Sequence, residues 1–327
     1  MWIGTLFALA AGLMWGLVFA GPQLLPDYPA AMQAFGRYIA FGLIAAPLAW
    51  IDRARMRELT RADWIEAAKL GLVGNIVYYL FLASAIQRAG GPLPTMIIGT
   101  LPVVIAISSN LRDARRDGRL PWLKLLPSLG LIGAGIACVN QVELQALRAD
   151  PAGAELVSSG AYALGGALAV GAVACWTWYP MRNADWLRAH AERSPRAWAT
   201  AQGLATLPLA ALGFAAFWAW SAASGSTLAM PFGPRPGLYI GLMLAIGLLA
   251  SWAGTLCWNE ASQRLPTTLV GQLIVFETLS ALAYAYVLRG RAPDALTLAG
   301  VALLVAGVMW ALRVRPEPVA EASAHAA

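Results

Sequence analysis

The chain has 327 residues, of which 59% are hydrophobic and only 12% are charged. A soluble domain carries about 25% charged residues, so this composition excludes a soluble enzyme, a nucleic-acid binder and a disordered protein, and leaves a polytopic membrane protein. The formal net charge of +6 is carried mostly by Arg beside apolar runs, where it orients helices in a bilayer.

A membrane-crossing helix needs roughly 20 apolar residues, and charge-free stretches mark such spans in chain order. The first lies between Met1 and Asp27. It has no basic leader and reads as a retained helix rather than a cleaved signal peptide. The second runs from about Ala30 to Trp50 and contains Arg37. The third, fourth and fifth lie between Lys69 and Arg88, Arg88 and Arg112, and Lys124 and Glu143. The sixth lies between Glu155 and Arg182. The seventh follows Arg196 and ends before a Ser/Gly/Pro-rich loop that leads to Arg235. The eighth lies between Arg235 and Glu260, the ninth runs from about Pro266 to Leu288 around Glu277, and the tenth lies between Asp294 and Arg313. The expected fold is therefore an all-α integral membrane protein with ten transmembrane helices.

An even number of spans puts both termini on one side. Arg53, Arg55, Arg57, Arg61, Arg112, Arg115, Arg116, Arg182, Arg188, Arg193 and Arg196 then share that side, against Arg88, Arg148, Arg235, Arg289 and Arg291 on the other. The positive-inside rule makes the Arg-rich side and both termini cytoplasmic. The expected location is the inner or plasma membrane, crossed many times.

The two halves resemble each other. Gly4 to Trp15 aligns with Gly165 to Trp176, pairing Gly4 with Gly165, Ala8 with Ala169, Ala11 with Ala172 and Trp15 with Trp176. Ala85-Ile86-Gln87-Arg88 aligns with Ala261-Ser262-Gln263-Arg264. Pro94 to Val104 aligns with Pro266 to Phe276, and the same register pairs Arg119 with Arg291, Pro121 with Pro293 and Gly135 with Gly307. The second span has no convincing match in the seventh. Five helices per half force opposite insertion of the two halves, an inverted repeat whose physical use is alternating access to a midplane site. Residues 2–142 form the first expected repeat, 158–313 the second, and 314–327 a disordered cytoplasmic tail.

Pro92, Pro94, Gly99 and Pro102 in the fourth span, and Pro266 and Gly271 in the ninth, predict bent or shortened helices. Gly12 with Gly16, and Gly237 with Gly241, predict close helix packing. Cys138, Cys175 and Cys257 lie singly in apolar runs and read as packing residues. His190 and His325 cannot build a metal or catalytic cluster, so no cofactor, metal or catalytic residue is expected.

These features resemble the EamA-type transporters of the drug/metabolite transporter (DMT) superfamily. The resemblance is carried by Trp15-Gly16, Arg37-Tyr38, the stretch from Leu101 to Val139 and its C-terminal counterpart. Asn259 to Pro293, with GQLIVFET at its centre, is more specifically similar to the YddG-type aromatic amino-acid exporters. The resemblance implies export of small metabolites. Many relatives carry a Leu-Gly-Glu pattern after the fourth and ninth helices. This chain has Leu111-Arg112-Asp113 and Leu288-Arg289-Gly290 there, so no role of that Glu is carried over.

Charge inside a span costs at least about 2.5 kcal/mol on insertion scales, which singles out Arg37 and Glu277 as transport or coupling residues. Glu277 reads as a proton-titrating or amine-binding carboxylate, or else as a structural hydrogen-bond hub. Arg37 either reaches the outer interface or turns inward to hold a carboxylate. Their pairing is left open. Trp2, Trp50, Trp64, Trp122, Trp198, Trp218, Trp220 and Trp310 lie near helix ends and fit interfacial belts. Trp15, Trp252, Trp258, Tyr78 and Tyr79 lie deeper, and Trp176 and Trp178 lie toward the inner end of the sixth span; of these, Trp15, Trp176, Trp252, Trp258, Tyr78 and Tyr79 are candidate cavity walls for a flat or cationic solute. The amides Asn75 and Gln272 are candidate contacts for a zwitterion, and Asn259 with Glu260 for an inner gate.

The leading expectation is a secondary exporter of amino acids, aromatic or hydrophobic. The alternatives are a DMT exporter of an organic cation, sugar or purine, and more remotely an intramembrane enzyme, for which no cluster of polar catalytic groups exists at either face. The expected partners are the small-molecule substrate and the lipid bilayer. No nucleic acid and no obligate protein partner is expected, for a monomer or dimer.

Overall fold

The structure, a computed structural model, describes residues 2–89, 94, 97–112, 121–149, 159–290 and 292–314. Among these residues every regular element is helical. Hydrocarbon offers the backbone no hydrogen-bonding partner, so an apolar chain satisfies its own amides within a helix.

In the first half, α1 (Trp2–Gly16) tightens into a 3-10 turn at Leu17–Phe19 and continues as α2 (Ala20–Leu24). α3 (Ala30–Ile51) is followed by the short α4 (Arg53–Met56). α5 (Arg61–Leu70) passes through a π-helical segment, Gly71–Val77, into α6 (Tyr78–Ala89). α7 (Leu101–Arg112) and α8 (Trp122–Ala149) complete this half. The second half contains α9 (Ser159–Ala189) and α10 (Pro195–Ala223). α11 (Pro236–Ile246) passes through a second π-helical segment, Gly247–Ala253, into α12 (Gly254–Arg264). α13 (Thr267–Leu273), α14 (Val275–Arg289) and α15 (Ala295–Ala311) follow.

Among the described residues seven helical runs are long and apolar enough to cross a membrane, and three shorter apolar helices accompany them. Leu6, Leu43, Leu126, Leu212, Leu248 and Val305 point outward, as a lipid-facing surface requires. Polar ends are capped locally. Thr60 and Asp63 form a reciprocal capping box on α5, Ser194 caps α10, and the Asp294 carboxylate accepts from the Thr297 amide at 2.8 Å. Gly290, at φ +60°, ends α14 in the left-handed conformation that favours glycine.

Helix pairs come from opposite halves. α8 packs on α15, α10 on α3, α9 on α6, α1 on α12 and α14, and α13 on α7. Several contacts are reciprocal. Gly135 lies against Leu304 and the Gly300 carbonyl, while Gly307 lies against Ile132 and the Ser128 carbonyl. The alignment that pairs Gly135 with Gly307 also pairs Ile132 with Leu304 and Ser128 with Gly300. Gly4 lies against Leu265 and Gly165 against Ala89, again matched positions. The two π-helical segments, GLVGNIV and GLLASWA, coincide in the register that aligns Ala85 with Ala261.

Five details differ from the sequence expectation. The third span starts at Arg61 rather than Lys69, and the sixth extends past Arg182 to Ala189. Charge does not end these helices because it is compensated there. Asp63 and Glu66 are buried, and Glu66 pairs with Arg182. The ninth span breaks at Ile274, beyond Gly271, and Gly271 instead allows Ile105 to approach. Gly12 and Gly16 do pack closely, on the Glu277 amide and on Ser280, but a Cβ added at Gly237 or Gly241 would meet nothing. Trp198 is not in an interfacial belt. It is fully buried and stacks on Trp186 at 3.5 Å. Pro92, the Arg119/Arg291 pair and residues 315–327 lie outside the described residues.

Candidate functional site

α1, α3, α6, α9 and α14 enclose a cavity of about 460 Å³. Its deep end is aromatic. Trp15 and Trp176, matched residues of the two halves, meet edge to face with centroids 5.5 Å apart. Tyr78 stacks on Trp176 at 4.8 Å. Trp258 lies behind Trp15 at 5.0 Å, and Tyr179 stacks on Trp176 at 5.0 Å. These contacts rigidify the rings, so the cavity presents preformed faces to a planar or cationic group. Phe19, Leu25, Pro26, Tyr28 and Ile86 surround the other end.

Two charges face this space. Arg37 leaves α3 and is 9% exposed. Its Nε donates to Ser251 Oγ at 2.9 Å, and its guanidinium lies 4.9 Å from the Tyr38 ring centre and 6.0 Å from that of Tyr79. Ser251 sits in the second π-helical segment, whose extra residue per turn re-aims side chains. Arg37 lines the cavity with Nε already engaged, and a guanidinium is able to take a carboxylate through a two-nitrogen fork. Glu277 lies in the first turn of α14, just past the break at Ile274, with its amide on the Ile274 carbonyl at 2.9 Å. Arg37 and Glu277 both line this cavity. Among the described residues no direct ion pair joins them, so they stand as two separate groups on one cavity.

The cavity thus unites Trp15, Arg37, Tyr78, Tyr79, Trp176 and Glu277 from the sequence-predicted set. Four members lie elsewhere. Gln272 is fully buried and accepts from Ser128 Oγ at 2.6 Å, joining α13 to α8. Trp252 Nε1 donates to Thr200 Oγ1 at 3.1 Å. Trp258 backs Trp15 without lining the space, and Asn75 is half-buried in the first π-helical segment, off the wall. Tyr28, Gln33 and Tyr38 line the cavity and had not been assigned to it. Gln33 carried a signal: it is a polar residue one turn before Arg37 in an apolar helix.

Hydrogen bonds tie the helices together at the Arg-rich end. Tyr179 Oη donates to Gln202 Oε1 at 2.9 Å, and Gln202 Nε2 donates to Asn183 Oδ1 at 3.1 Å. Trp198 Nε1 also donates to Asn183 Oδ1, at 2.9 Å, and Asn183 Nδ2 donates to Asn259 Oδ1 at 2.8 Å. Trp186 Nε1 reaches Asp63 Oδ1 at 2.9 Å, and Arg112 pairs with Asp185 at 2.6 Å. Asn183 and Asn259 are fully buried, so Asn259 belongs to this network. Glu260 is half-buried in a pair with Arg264.

Residues 2–140 match the EamA-like transporter family. The inner membrane protein YtfF of Escherichia coli is 52% identical over 314 residues, which are 96% of each chain. An uncharacterized transporter of Synechocystis sp. is 28% identical over 158 residues, 46% of this chain and 47% of that one. A solved crystal structure superposes with a TM-score of 0.67 over 94% of this chain and 96% of its own, at 18% identity, a likeness of fold. Shared sequence over nearly the whole length, with apolar helices around a charged and aromatic cavity, makes this chain a member of the EamA-like transporter family of the DMT superfamily, a multi-pass membrane transporter of small solutes.

Proposed function

We propose that the protein is a secondary transporter of the inner membrane that exports amino acids, aromatic or hydrophobic ones, by alternating access at the Arg37–Glu277 cavity. The observation that carries this reading is a single cavity holding one cation and one carboxylate among stacked rings. A zwitterion with an apolar body matches that lining: its carboxylate on the Arg37 fork, its side chain against Trp15, Tyr78 and Trp176. Glu277 faces the amine or exchanges protons with the substrate.

The access cycle rests on ten spans in two inverted units, residues 2–142 and 158–313, with both termini cytoplasmic. Seven long and three shorter apolar helices support the number, and the reciprocal contacts of Gly135 and Gly307 support the pseudo-two-fold relation. The Arg-rich end then faces the cytoplasm, and this conformation is closed there by the Asn183–Asn259 network. Loading substrate from the cytoplasm requires that network to part while the Phe19 and Tyr28 end closes. The two π-helical segments and the break at Ile274 are the points where the helices can bend.

The test is reconstitution in proteoliposomes with a panel of labelled amino acids, with and without a pH gradient. Transport of phenylalanine, tyrosine, tryptophan or leucine is expected, and transport of no amino acid overturns the proposal. Glu277 beside exposed ring faces also suits an organic cation, so a quaternary ammonium dye belongs in the panel. Movement of the dye alone establishes that second reading. A cysteine inserted between Ala152 and Gly153 is expected to label only from the outside. Labelling from the cytoplasm would refute the topology.

A further inference from the structure

His190 follows the last turn of α9, at the Arg-rich end. Its Nδ1 lies 2.9 Å from the Trp186 carbonyl. A carbonyl only accepts, so Nδ1 carries the hydrogen. The other nitrogen, Nε2, faces Asp63 Oδ1 of α5 at 3.9 Å. In the neutral ring Nε2 is an acceptor, and it then meets a carboxylate, two acceptors opposed. A proton on Nε2 turns the same contact into an ion pair and puts a cation at a helix C-terminus, where the helix dipole favours it. Asp63 is held in place for this contact. Its Oδ1 also accepts from Trp186 Nε1 at 2.9 Å, and its Oδ2 accepts from the Thr60 amide at 2.7 Å and the Thr60 hydroxyl at 2.9 Å. Other charged groups on the surrounding elements have their own partners. Arg193 pairs with Glu192 at 3.3 Å and with Glu58 at 3.8 Å, and Arg196 pairs with Asp52 at 3.7 Å. Glu66 pairs with Arg182, Asp185 with Arg112, and Arg188 donates to the Leu265 carbonyl. Arg61 is exposed at the start of α5.

The His190 ring is also the outer member of a chain of contacts that leads to the cavity. It lies over Trp186 with centroids 4.7 Å apart, and Trp186 lies over Trp198 at 3.5 Å. Trp198 Nε1 holds Asn183, Gln202 joins Asn183 to Tyr179, and Tyr179 stacks on the cavity residue Trp176 at 5.0 Å. The His190 side chain is 35% exposed, so a proton from solvent reaches it without passing the network. Histidine is the side chain whose ordinary titration falls between about pH 5 and pH 8. We propose that His190 is a proton-sensitive latch on the gate at the Arg-rich end: its imidazolium, held between the Trp186 carbonyl and the Asp63 carboxylate, keeps the Asn183 network closed, and loss of the proton frees it. A charged ring over Trp186 adds a cation–π attraction to the closed state. The closed state is therefore favoured while His190 is protonated and loses that support as pH rises, so acid on the Arg-rich side slows the opening that loads substrate. The latch rests on the reading of the Asn183 network as a gate that parts, and it holds for any solute.

The test is amide hydrogen exchange of the full-length protein at about pH 5.5 and about pH 8, the two sides of an ordinary histidine titration. Wild type and His190→Gln are compared at each pH, so that the chemical exchange rate cancels. α12, which carries Asn259, reports the gate. At the acid pH the wild-type α12 is expected to exchange about two- to fivefold more slowly than that of His190→Gln, the worth of a partly exposed ion pair. At the alkaline pH the two are expected to agree. The same ratio at both pH values overturns the latch. His190→Arg keeps a planar cation over Trp186 and is expected to hold α12 at the slow rate at both pH values. If His190→Gln does not accumulate, wild type and His190→Arg decide: they are expected to agree in acid and to part at the alkaline pH, and agreement at both overturns the latch. The readout needs no substrate, so a protein that moves no amino acid leaves it standing. Asn183→Leu separates the two ways of failing. If that variant too leaves α12 exchange unchanged, the network is not a gate and the latch falls with it. If it quickens α12 while the His190→Gln ratio does not change with pH, the gate stands and the latch alone is overturned.

Discussion

Arg37 is useful to a transporter because one edge of its guanidinium is already occupied. Ser251 holds Nε, and the remaining edge can fork a carboxylate without a search for orientation. Arg37→Lys keeps the charge and loses both the tether and the fork. The expected result in proteoliposomes is a KM for the amino acid raised about tenfold, with maximal rate little changed. An unchanged KM would show that Arg37 does not hold the carboxylate. Glu277 shares the cavity without an ion pair among the described residues, and the coupling role proposed for it is tested by one substitution. Glu277→Gln is expected to leave substrate movement down its own gradient while abolishing the response to a pH gradient. A normal response in that variant would remove Glu277 as the proton site.

At the scale of helices, stability depends on how closely backbones approach, since lipid is as apolar as the residues it would replace. α8 and α15 show the contrast on one helix face and the next. A Cβ at Gly135 would meet the Gly300 carbonyl and Leu304 at 2.8 Å, whereas one at Gly130 meets nothing. Gly135→Val is expected to cost about 1–3 kcal/mol by overpacking, visible as a lower Tm in detergent. Gly130→Ala is expected to be neutral or to stabilise by up to about 1 kcal/mol, because alanine is the better helix former. Equal shifts for both would mean that α8 and α15 do not pack as described.

For the whole molecule, the two ends of the cavity differ. One end opens into the cavity, and the other is tied by buried amides and indoles centred on Asn183. Asn183→Leu leaves Trp198 Nε1, Asn259 and Gln202 short of a partner in the closed state, each at a penalty of about 1–3 kcal/mol. The expected outcome is a population shift toward a conformation open at the Arg-rich end, read as amide hydrogen exchange in α12 faster by at least about tenfold. Unchanged exchange would show that this network does not hold the gate.

Much of this was legible in the chain. Low charge and long apolar runs leave helices as the only way to satisfy a backbone in hydrocarbon, and Pro, Trp and Arg recur in matching order in the two halves. Arg37 and Glu277 stood out because charge in a span is expensive, Trp15, Tyr78 and Tyr79 because deep rings are unusual, and Trp176 because it aligns with Trp15. What stayed hidden was direction. In a soluble helix polarity separates the inner face from the outer, but here lipid and core are equally apolar, so no periodicity tells which way a side chain turns. Packing between the halves alone sends Gln272 to Ser128 and Trp252 to Thr200, turns Gln33 and Tyr38 onto the cavity, breaks the helix at Ile274 before Glu277, and closes one end of the path with amides from α9, α10 and α12.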